Sequence, residues 1–397
     1  MKKNKIVGWV FSLLAVFLMV GCTTEHYVVA LSMDGFRTEY RERAHIPTLD
    51  SLGKVGVTAS FRPCFPSVTF VNHYAMATGL YPDHSGIVAN FFYDANRNKT
   101  YSMSNYTAVT DPSFYKGEPI WNTAEKQGVR SAAFFWVGSE TAVGGMQPSI
   151  WKKYNSSVPF YDRADSVIAW LQLPKKIRPH LIMWYQEQPD SYGHKYSPDS
   201  PKVISEIEMQ DSVLNYFFSK ARKLKQFKKI DFVIVSDHGM ATYDKYINLS
   251  DYMPQDSFLY AFDGVPTMLY PKPGYLETAY RILKTIPNIS VWKRDEVPAQ
   301  YKYGKNPCDP DLIVLPDVGV QLEFHKGHRS NNKGNHGYDN YSKEMQAIFY
   351  AAGPSFKKGV QLPVMENVNL YPLLARLLGL KPAPNDGDMK VIETLLK

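Results

Sequence analysis

Cysteine is scarce in this sequence, with three residues in 397, and long runs of one charge or one residue type are lacking. Three cysteines are too few for a disulfide-stapled scaffold or a cysteine-rich structural zinc site. The lack of repeats and low-complexity tracts excludes collagen, solenoid and disordered chains. Without a basic run, the formal net charge of +7 does not indicate binding to a nucleic-acid scaffold. What is present is a globular composition, 44% hydrophobic and 21% charged, in which nothing identifies a protein partner.

The long apolar run of the chain lies at its amino terminus. Three lysines precede the apolar residues 6–20, a pattern typical of a secretory signal. The run ends in Leu-Met-Val-Gly-Cys22, which resembles a bacterial lipoprotein box. We therefore predict a lipoprotein signal peptide at 1–21 and a lipidated Cys22 as the membrane anchor of an exported protein on the periplasmic or cell-surface side. The alternative is an uncleaved amino-terminal anchor.

Apolar segments rich in β-branched residues recur along the rest of the chain, and helical patterns separate them. Four of these segments indicate buried parallel strands, at 26–33, 131–137, 180–187 and 230–236, and two more strands are predicted at 311–316 and 346–353. The predicted helices include 160–173, 201–224 and 368–379. This alternation predicts an α/β fold with a mostly parallel central sheet and helices on both faces. Because no linker divides the chain, we expect one domain at 22–397, with 251–310 as a candidate inserted cap or subdomain.

Acids and histidines collect where the predicted strands end. In α/β folds, ligands bind beyond the carboxyl ends of the strands, so these side chains are expected to meet. His194 follows Asp190 by four residues, a spacing that lets both side chains reach one ion, and His336 lies between glycines. Carboxylates mixed with imidazoles, without thiolates, are the ligands of catalytic zinc, with manganese and iron as alternatives. The candidate ligands are Asp34, Asp190, His194, Asp237, His238 and His336.

Thr69 is the candidate nucleophile. It lies at the predicted start of a helix that runs to Gly79, where backbone N–H groups favour anions. A threonine at a helix start is more often a cap, and only the neighbouring motifs raise Thr69 above that ordinary role.

Eight segments follow Asp34 in a fixed order. They are Pro-Ser-Val-Thr69-Phe-Val-Asn-His, Gly-Leu-Tyr-Pro-Asp-His-Ser-Gly-Ile-Val-Ala-Asn90, Pro-Ile-Trp-Asn-Thr-Ala-Glu125, Phe-Trp-Val-Gly-Ser-Glu140, Tyr154-Asn-Ser-Ser-Val-Pro-Phe, Pro-Asp190-Ser-Tyr-Gly-His194, Ser-Asp237-His-Gly-Met and Asn-His336-Gly-Tyr-Asp-Asn. Together they resemble the nucleotide pyrophosphatase/phosphodiesterase family of the alkaline phosphatase superfamily, over about residues 27–387. Gln188 and Tyr192 depart from the family pattern beside the ligands without replacing them.

The resemblance implies an alkaline-phosphatase-like three-layer sandwich that holds two Zn²⁺ ions. One ion would take Asp190, His194 and His336, and the other Asp34, Asp237, His238 and the oxygen of Thr69. Thr69 would then attack phosphorus and form a phosphothreonine intermediate that water hydrolyses. Asn90 and the backbone amide of Thr69 would hold a non-bridging oxygen.

The implied substrate is a nucleotide diester or pyrophosphate, cleaved to a nucleoside 5′-monophosphate. In the family, a base lies between two rings whose positions here are Phe70 and Tyr154. Tyr185, on the strand leading to Asp190, is expected to add a wall beside them. Cleavage of choline-phosphate or lysophospholipid esters stays open, because only the pocket would differ.

Three other functions fit less well. Cys64-Phe-Pro-Ser resembles the start of a sulfatase motif, but Val68 stands where that motif has arginine. A phosphomonoesterase needs cations beyond the metals, and Arg62 is the one base near Thr69. A non-catalytic lipoprotein would have lost ligands, yet every ligand position is filled. Whether Cys64 and Cys308 form a disulfide is open at this stage.

Overall fold

The computed structural model describes residues 25–327 and 329–397. The predicted signal peptide and Cys22 lie outside the described residues. Within the described ranges, no helix combines the length and apolar character that crossing a bilayer requires.

Eighteen strands and eleven α-helices are described. The strands are β1 (Tyr27–Met33), β2 (Val57–Arg62), β3 (Phe91–Asp94), β4 (Lys99–Ser102), β5 (Ser131–Phe134), β6 (Ile150–Lys152), β7 (Leu181–Gln186), β8 (Ile230–Val235), β9 (Ala241–Thr242), β10 (Lys245–Asn248), β11 (Phe258–Phe262), β12 (Thr267–Pro271), β13 (Ile289–Lys293), β14 (Leu312–Pro316), β15 (Val320–Glu323), β16 (Gly334–Asn335), β17 (Ala347–Ala352) and β18 (Val360–Glu366). The helices are α1 (Pro47–Val55), α2 (Thr69–Thr78), α3 (Pro82–Ser85), α4 (Tyr106–Val109), α5 (Ile120–Lys126), α6 (Phe160–Gln172), α7 (Asp190–Tyr196), α8 (Pro201–Ala221), α9 (Leu276–Leu283), α10 (Leu370–Leu377) and α11 (Met389–Leu395).

Eight strands form the central sheet, in the order β18-β2-β17-β8-β1-β7-β5-β6. β1 lies in the middle with every residue buried, as its run of apolar residues requires. It pairs in parallel with β7 and β8, and Val29 lies beside Ile182 on one side and Phe232 on the other. β17 is the antiparallel member of the sheet, paired with β2 and β8. The predicted mostly parallel sheet is confirmed.

Helices cover both faces of this sheet because β1 sends alternate side chains to opposite sides. Val29 and Leu31 pack in a core with α1, α6 and α8. Val28 and Ala30 face the other way, into a core with α2, α5, α10 and α11. The result is the predicted three-layer sandwich of helices, sheet and helices.

The chain forms a second sheet from the strands that come between β10 and β15 in the sequence. It has four antiparallel strands in the order β11-β12-β14-β13, and α9 packs beside it. Leu269 and Leu312 on one face build a separate small core, whereas Met268 and Ile313 on the other join the apolar cluster around Phe65. This sheet overlaps the predicted insert at 251–310, but the domain boundaries themselves stay a prediction.

Two elements end three residues earlier than their sequence pattern predicts. β5 ends at Phe134 instead of 137, because Phe135 adopts a φ of 68°, in the left-handed region that no strand continues through. α8 ends at Ala221 instead of 224, where the backbone tightens and the N–H of Lys223 donates to the carbonyl of Lys220. β5 still belongs to the central sheet, and α8 still packs on the face that also carries α1 and α6.

Candidate functional site

The candidate site lies at the carboxyl ends of β1, β7 and β8. Hydrogen bonds from backbone N–H groups link the segments that carry three of the predicted ligands there. The N–H of Asp190 donates to the carbonyl of Asp34 at 2.9 Å, and the N–H of Gly35 donates to Oδ1 of Asp237 at 3.1 Å. Gly35 has a φ of +69°, and a Cβ there would lie 2.8 Å from Cα of Asp190. Glycine is therefore required for these three strand ends to approach so closely.

The first ligand group consists of Asp190, His194 and His336. Asp190 and His194 lie one turn apart on the short helix α7, so their side chains share one face. Nε2 of His194 is 3.5 Å and Nε2 of His336 is 3.7 Å from Oδ1 of Asp190. Each imidazole contacts a backbone carbonyl through Nδ1, His194 that of Gly334 at 2.9 Å and His336 that of Ser67 at 3.0 Å. These bonds leave both Nε2 atoms directed at the carboxylate.

The second ligand group consists of Asp34, Asp237 and His238, all fully or almost fully buried. Nε2 of His238 is 3.5 Å from Oδ1 of Asp34 and 3.1 Å from Oδ2 of Asp237. Nδ1 of His238 lies 2.8 Å from the carbonyl of Gly239, which fixes the ring in the same manner. All six predicted ligands thus meet in two adjacent groups.

Three carboxylate oxygens in these groups are buried and accept no well-aligned hydrogen bond from the described residues, although imidazole nitrogens lie 3.1 to 3.5 Å from them. They are Oδ1 of Asp34, Oδ1 of Asp190 and Oδ2 of Asp237. A buried, unpaired acceptor of this kind costs about 1 to 3 kcal/mol, and more when it is charged. Divalent cations shared between carboxylates and imidazoles would satisfy all three oxygens, so the residues present fit two zinc ions.

The electrostatics of the site point the same way. Burial, with the neighbouring Asp237 and Asp190, raises the pKa of Asp34 well above its usual value. Burial also opposes ionisation of Asp237, but the facing His238 and His73 outweigh it and hold the pKa of Asp237 well below its usual value. Burial and two neighbouring imidazoles lower the pKa of His336. A neutral His336 is the protonation state that metal binding requires. Burial opposes the charged form of His238, but the facing Asp237 outweighs it and raises the pKa of His238.

Thr69 faces these groups. It is the first residue of α2, and the capping position before it is held by Val68, so the hydroxyl does not cap the helix. Its Oγ1 lies 3.2 Å from Nε2 of His238. His73, one turn along α2, contacts the carbonyl of Thr69 at 2.9 Å and Oγ of Ser32 on β1 at 2.8 Å. His73 therefore connects the start of the helix to the central sheet.

Asn90 lies beside Thr69 with its side chain fixed from one end. Oδ1 of Asn90 accepts the N–H of Phe70 at 2.9 Å. Nδ2, which carries both side-chain donors, forms no hydrogen bond with any described residue and is left for another acceptor.

Two cavities flank Thr69. One, of about 390 Å³, holds all three predicted ring residues: Phe70, Tyr154 and Tyr185. Tyr154 stands at its mouth, 46% exposed, and its N–H donates to Oε1 of Glu140 at 2.6 Å. The other cavity, of about 350 Å³, lies beside Asn90, His194 and His336. No lysine or arginine is among the described residues that line either cavity.

Tyr185 has a second contact that its position on β7 explains. Its hydroxyl donates to Oδ2 of Asp34 at 2.7 Å, so the ring lines the cavity while the oxygen holds a predicted metal ligand. Burial and the charge of Asp34 raise the pKa of Tyr185, which therefore stays a donor.

Sequence reasoning missed part of the cavity wall. Phe135 and Trp136 line it, with Phe135 edge-on to Tyr154 at 5.3 Å between ring centres. Both residues directly follow β5, but the sequence pattern placed them inside a strand that ran to 137, so the strand-end rule that selected the acids did not select these rings. Glu140 also lines the cavity, although its motif indicated no particular role.

Cys64 does not belong to the site. It is buried, and its thiol donates to Oδ1 of Asn367 at 3.0 Å. Burial raises the pKa of this thiol well above its usual value, which keeps it a weak nucleophile. Cys308 is a second buried free thiol, so the two cysteines are not bridged.

Known proteins are similar in sequence to this chain over nearly its whole length. The family model for type I phosphodiesterase/nucleotide pyrophosphatase matches residues 28–339. Human ectonucleotide pyrophosphatase/phosphodiesterase family member 1 is 36% identical over 382 residues, which are 92% of this chain and 41% of the relative. Venom phosphodiesterase 2 of Crotalus adamanteus is 35% identical over 384 residues, which are 93% of this chain and 47% of the relative. The chain thus spans less than half the length of these curated relatives.

Solved structures confirm the predicted alkaline-phosphatase-like fold. Murine ectonucleotide pyrophosphatase/phosphodiesterase 5 has a TM-score of 0.90 and 32% identity, covering 94% of this chain and all of its own. An inactive threonine-to-alanine form of that murine protein, in complex with AMP, has the same TM-score and 31% identity, over the same shares of both chains. The family match, the curated relatives and these structures agree with the motifs that first indicated the resemblance. The chain belongs to the type I phosphodiesterase/nucleotide pyrophosphatase family.

Proposed function

We propose that this protein is a zinc-dependent phosphodiesterase that cleaves phosphodiester or pyrophosphate bonds in nucleotides and releases nucleoside 5′-monophosphates. The observation that carries the proposal is the position of Thr69. Its hydroxyl is not used as a helix cap and lies 3.2 Å from His238, at the junction of the two ligand groups and of the two cavities.

The proposed metal sites follow the two groups of side chains. Asp190, His194 and His336 would hold one Zn²⁺, and Asp34, Asp237, His238 and Oγ1 of Thr69 would hold the other. Bound there, the ions would supply positive charge that favours an ionised hydroxyl and stabilises the oxygens around phosphorus. Tyr185 keeps Asp34 in place through its 2.7 Å hydrogen bond.

Thr69 is the proposed nucleophile. As its hydroxyl proton passes to solvent, Oγ1 bonds to phosphorus and the bond from phosphorus to the leaving oxygen breaks, which gives a phosphothreonine whose phosphate still carries the nucleoside. Water then attacks that phosphorus and returns the free threonine and a nucleoside 5′-monophosphate. The free Nδ2 of Asn90 and the backbone N–H of Thr69 would donate to a non-bridging oxygen in both steps.

The cavity next to Phe70 is the proposed nucleotide pocket. A base would lie between Phe70 and Tyr154, with Tyr185 as a further wall. The murine structure in complex with AMP supports a nucleotide as the substrate through its family relationship and its fold. Stacking on aromatic rings accepts any base, so discrimination between bases is expected to be weak.

Two alternatives lose support from the contacts around the site. A phosphomonoester carries an extra negative charge, yet neither cavity is lined by a described lysine or arginine, and Arg62 is engaged by Glu366 at 2.7 Å. A sulfatase would need Cys64 as an exposed, activated nucleophile, whereas this thiol is buried. The third alternative is cleavage of choline-phosphate or lysophospholipid esters, and the substrate panel described below distinguishes it from nucleotide cleavage.

The location of the enzyme is also a proposal. The curated relatives are named as ectonucleotide enzymes and venom enzymes, which is consistent with export. We propose that Cys22 is lipidated and holds the domain at the periplasmic or cell surface. Mass spectrometry of the amino-terminal peptide tests this, and an unmodified Cys22 in the exported chain would contradict it.

The activity is tested with a substrate panel. Nucleotide diesters, phosphomonoesters, phosphocholine esters and sulfate esters that release nitrophenol are assayed before chelation, after chelation and after zinc is returned. We expect the nucleotide diester to be preferred, its hydrolysis to stop on chelation and zinc to restore it. A preference for phosphocholine esters would move the assignment to lipid-derived substrates, and activity that survives chelation would overturn the metal sites.

A further inference from the structure

The end of the central sheet opposite the candidate site carries many cations. β1, β7 and β8 begin at this end, and Glu25, just before β1, lies in a groove of about 380 Å³. The cations that line this groove are Arg178, Lys223, Lys225 and Lys229. A second groove of about 450 Å³, at the start of β8 and the end of β17, is lined by Arg222, Lys228 and Lys358. We call the residues that line these two grooves, together with the neighbouring Lys175 and Ile177, the basal face.

Acids do not balance the charge of the basal face. Among the described residues that line the two grooves, Glu25 is the one carboxylate. It is already engaged by Lys229 at 3.3 Å, Arg178 at 3.6 Å and Lys175 at 3.8 Å. The remaining cations include the exposed Lys223, Lys225 and Lys228. The basal face therefore has a surplus of positive charge that is free to attract an anionic partner.

Apolar side chains accompany these cations. Val55, 52% exposed, lines the second groove together with Leu52 and Phe227. Ile177, 44% exposed, lies in the segment before β7. Apolar groups that can enter the headgroup region, surrounded by long lysine side chains, are typical of surfaces that bind the membrane interface.

We propose that the basal face binds the surface of a bilayer that contains anionic phospholipids. Glu25 follows Cys22 by three residues, which reach at most about 11 Å even when fully extended. A lipid tether at Cys22, which is part of the proposed function, would therefore leave the protein at this face. An acyl chain combined with a basic patch binds a membrane more firmly than either does alone. The positive charge of the basal face does not depend on that tether.

Vesicle flotation tests the proposal with the full chain. Binding is measured on vesicles of phosphatidylcholine alone and on vesicles with added phosphatidylglycerol, over a range of salt concentrations. We expect phosphatidylglycerol to raise the bound fraction and salt to reverse the increase. The triple variant Lys223→Gln, Lys225→Gln, Lys228→Gln should bind anionic vesicles roughly a hundred-fold more weakly, at about 1 kcal/mol per lysine, and neutral vesicles as before.

A matched triple variant controls for the loss of net charge. Lys245→Gln, Lys272→Gln and Lys284→Gln remove the same charge from β10 and from the region of the second sheet. This control should keep the binding to anionic vesicles. Equal losses in both triple variants, or a bound fraction that ignores phosphatidylglycerol, would overturn the proposal.

Two further measurements separate this proposal from the proposed function. Both triple variants should hydrolyse a soluble nucleotide diester at the rate of the unmodified protein, since none of these lysines lines the cavities beside Thr69. Cys22→Ser should lower the binding to both kinds of vesicle and keep the difference between them. Loss of that difference in Cys22→Ser would show that the basal face contributes nothing.

Discussion

At the scale of single residues, the hydroxyl of Thr69 carries the proposed chemistry. We expect Thr69→Ala to lower kcat/KM for a nucleotide diester by roughly 10⁴-fold or more, the order seen when a nucleophile is removed from other hydrolases. Thr69→Ser should retain part of the activity because it keeps the oxygen. Quenched single-turnover reactions analysed by mass spectrometry should show a nucleoside monophosphate joined through its phosphorus to residue 69 in the unmodified and serine proteins. Full activity in Thr69→Ala would contradict a covalent route.

Cys64 gives the opposite expectation. Cys64→Ala removes a buried thiol and its hydrogen bond to Asn367, so a loss of about 1 kcal/mol in the free energy of unfolding is expected. Its kcat for a nucleotide diester should be unchanged, because this side chain contacts no described member of the ligand groups. A folded, zinc-loaded Cys64→Ala protein without activity would contradict this expectation and support the sulfatase hypothesis.

The rings of the proposed base pocket should affect binding more than turnover. Stacking changes little between ground and transition state, so Phe70→Ala and Tyr154→Ala should raise KM for nucleotide esters by roughly ten-fold or more. Tyr154 is 46% exposed, and its loss should barely change stability. Bis-p-nitrophenyl phosphate, which lacks a base, is the control substrate. Equal losses on both substrates would mean that the rings support the site instead of reading a base.

At the scale of elements, the turn that presents His336 depends on glycine. Gly337 has a φ of +100°, and a Cβ there would lie 1.7 Å from the carbonyl oxygen of Val265. Gly337→Ala should therefore cost more than the roughly 1 to 2 kcal/mol of the backbone conformation alone, and should weaken zinc binding through His336. Gly274→Ala is the matched control, since its φ is +85° and nothing lies within 4 Å. Thermal unfolding should separate the two variants clearly.

Elements also show how far sequence reasoning reaches. The strands before Asp34, Asp190 and Asp237 were predictable because buried parallel strands are continuous apolar runs that end abruptly in polar residues. That α2 begins at Thr69 followed from the motif around it, but that Val68 takes the capping position did not. The antiparallel direction of β17 was not predictable, because a short buried strand has the same composition in either direction.

The cavity was harder to predict than the ligands. Phe135 leaves β5 through a left-handed backbone conformation that its residue type does not signal, and this conformation brings Phe135 and Trp136 to the cavity wall. Aromatic residues are common throughout the chain, at 14%, so the composition could not separate the pocket rings from core rings. The ligands were easier to predict because buried acids and histidines are rare in a core and therefore informative.

At the scale of the whole molecule, metal binding should be measurable as stability. The ligand groups place three unpaired carboxylate oxygens in the interior, so a chelated protein should unfold at a lower temperature than a zinc-loaded one. Free zinc at 100 times its Kd would stabilise one site by about 2.7 kcal/mol. Calorimetry with and without chelator checks the shift. Asp237→Ala should lose the part of the shift that comes from the group of Asp34, Asp237 and His238, and an undiminished shift in that variant would point to zinc bound elsewhere.

The length of the central strands has a consequence for the approach of substrate. β1 has seven residues, so the basal face and the candidate site are separated by roughly 20 Å or more. At physiological ionic strength, the electrostatic potential of a charged surface falls off over about 8 Å. The openings of the two cavities beside Thr69 would therefore lie outside the ionic double layer of a bilayer bound at the opposite end. An anionic nucleotide would reach Thr69 by ordinary diffusion through bulk solvent, without crossing the region in which the lipid headgroups repel it.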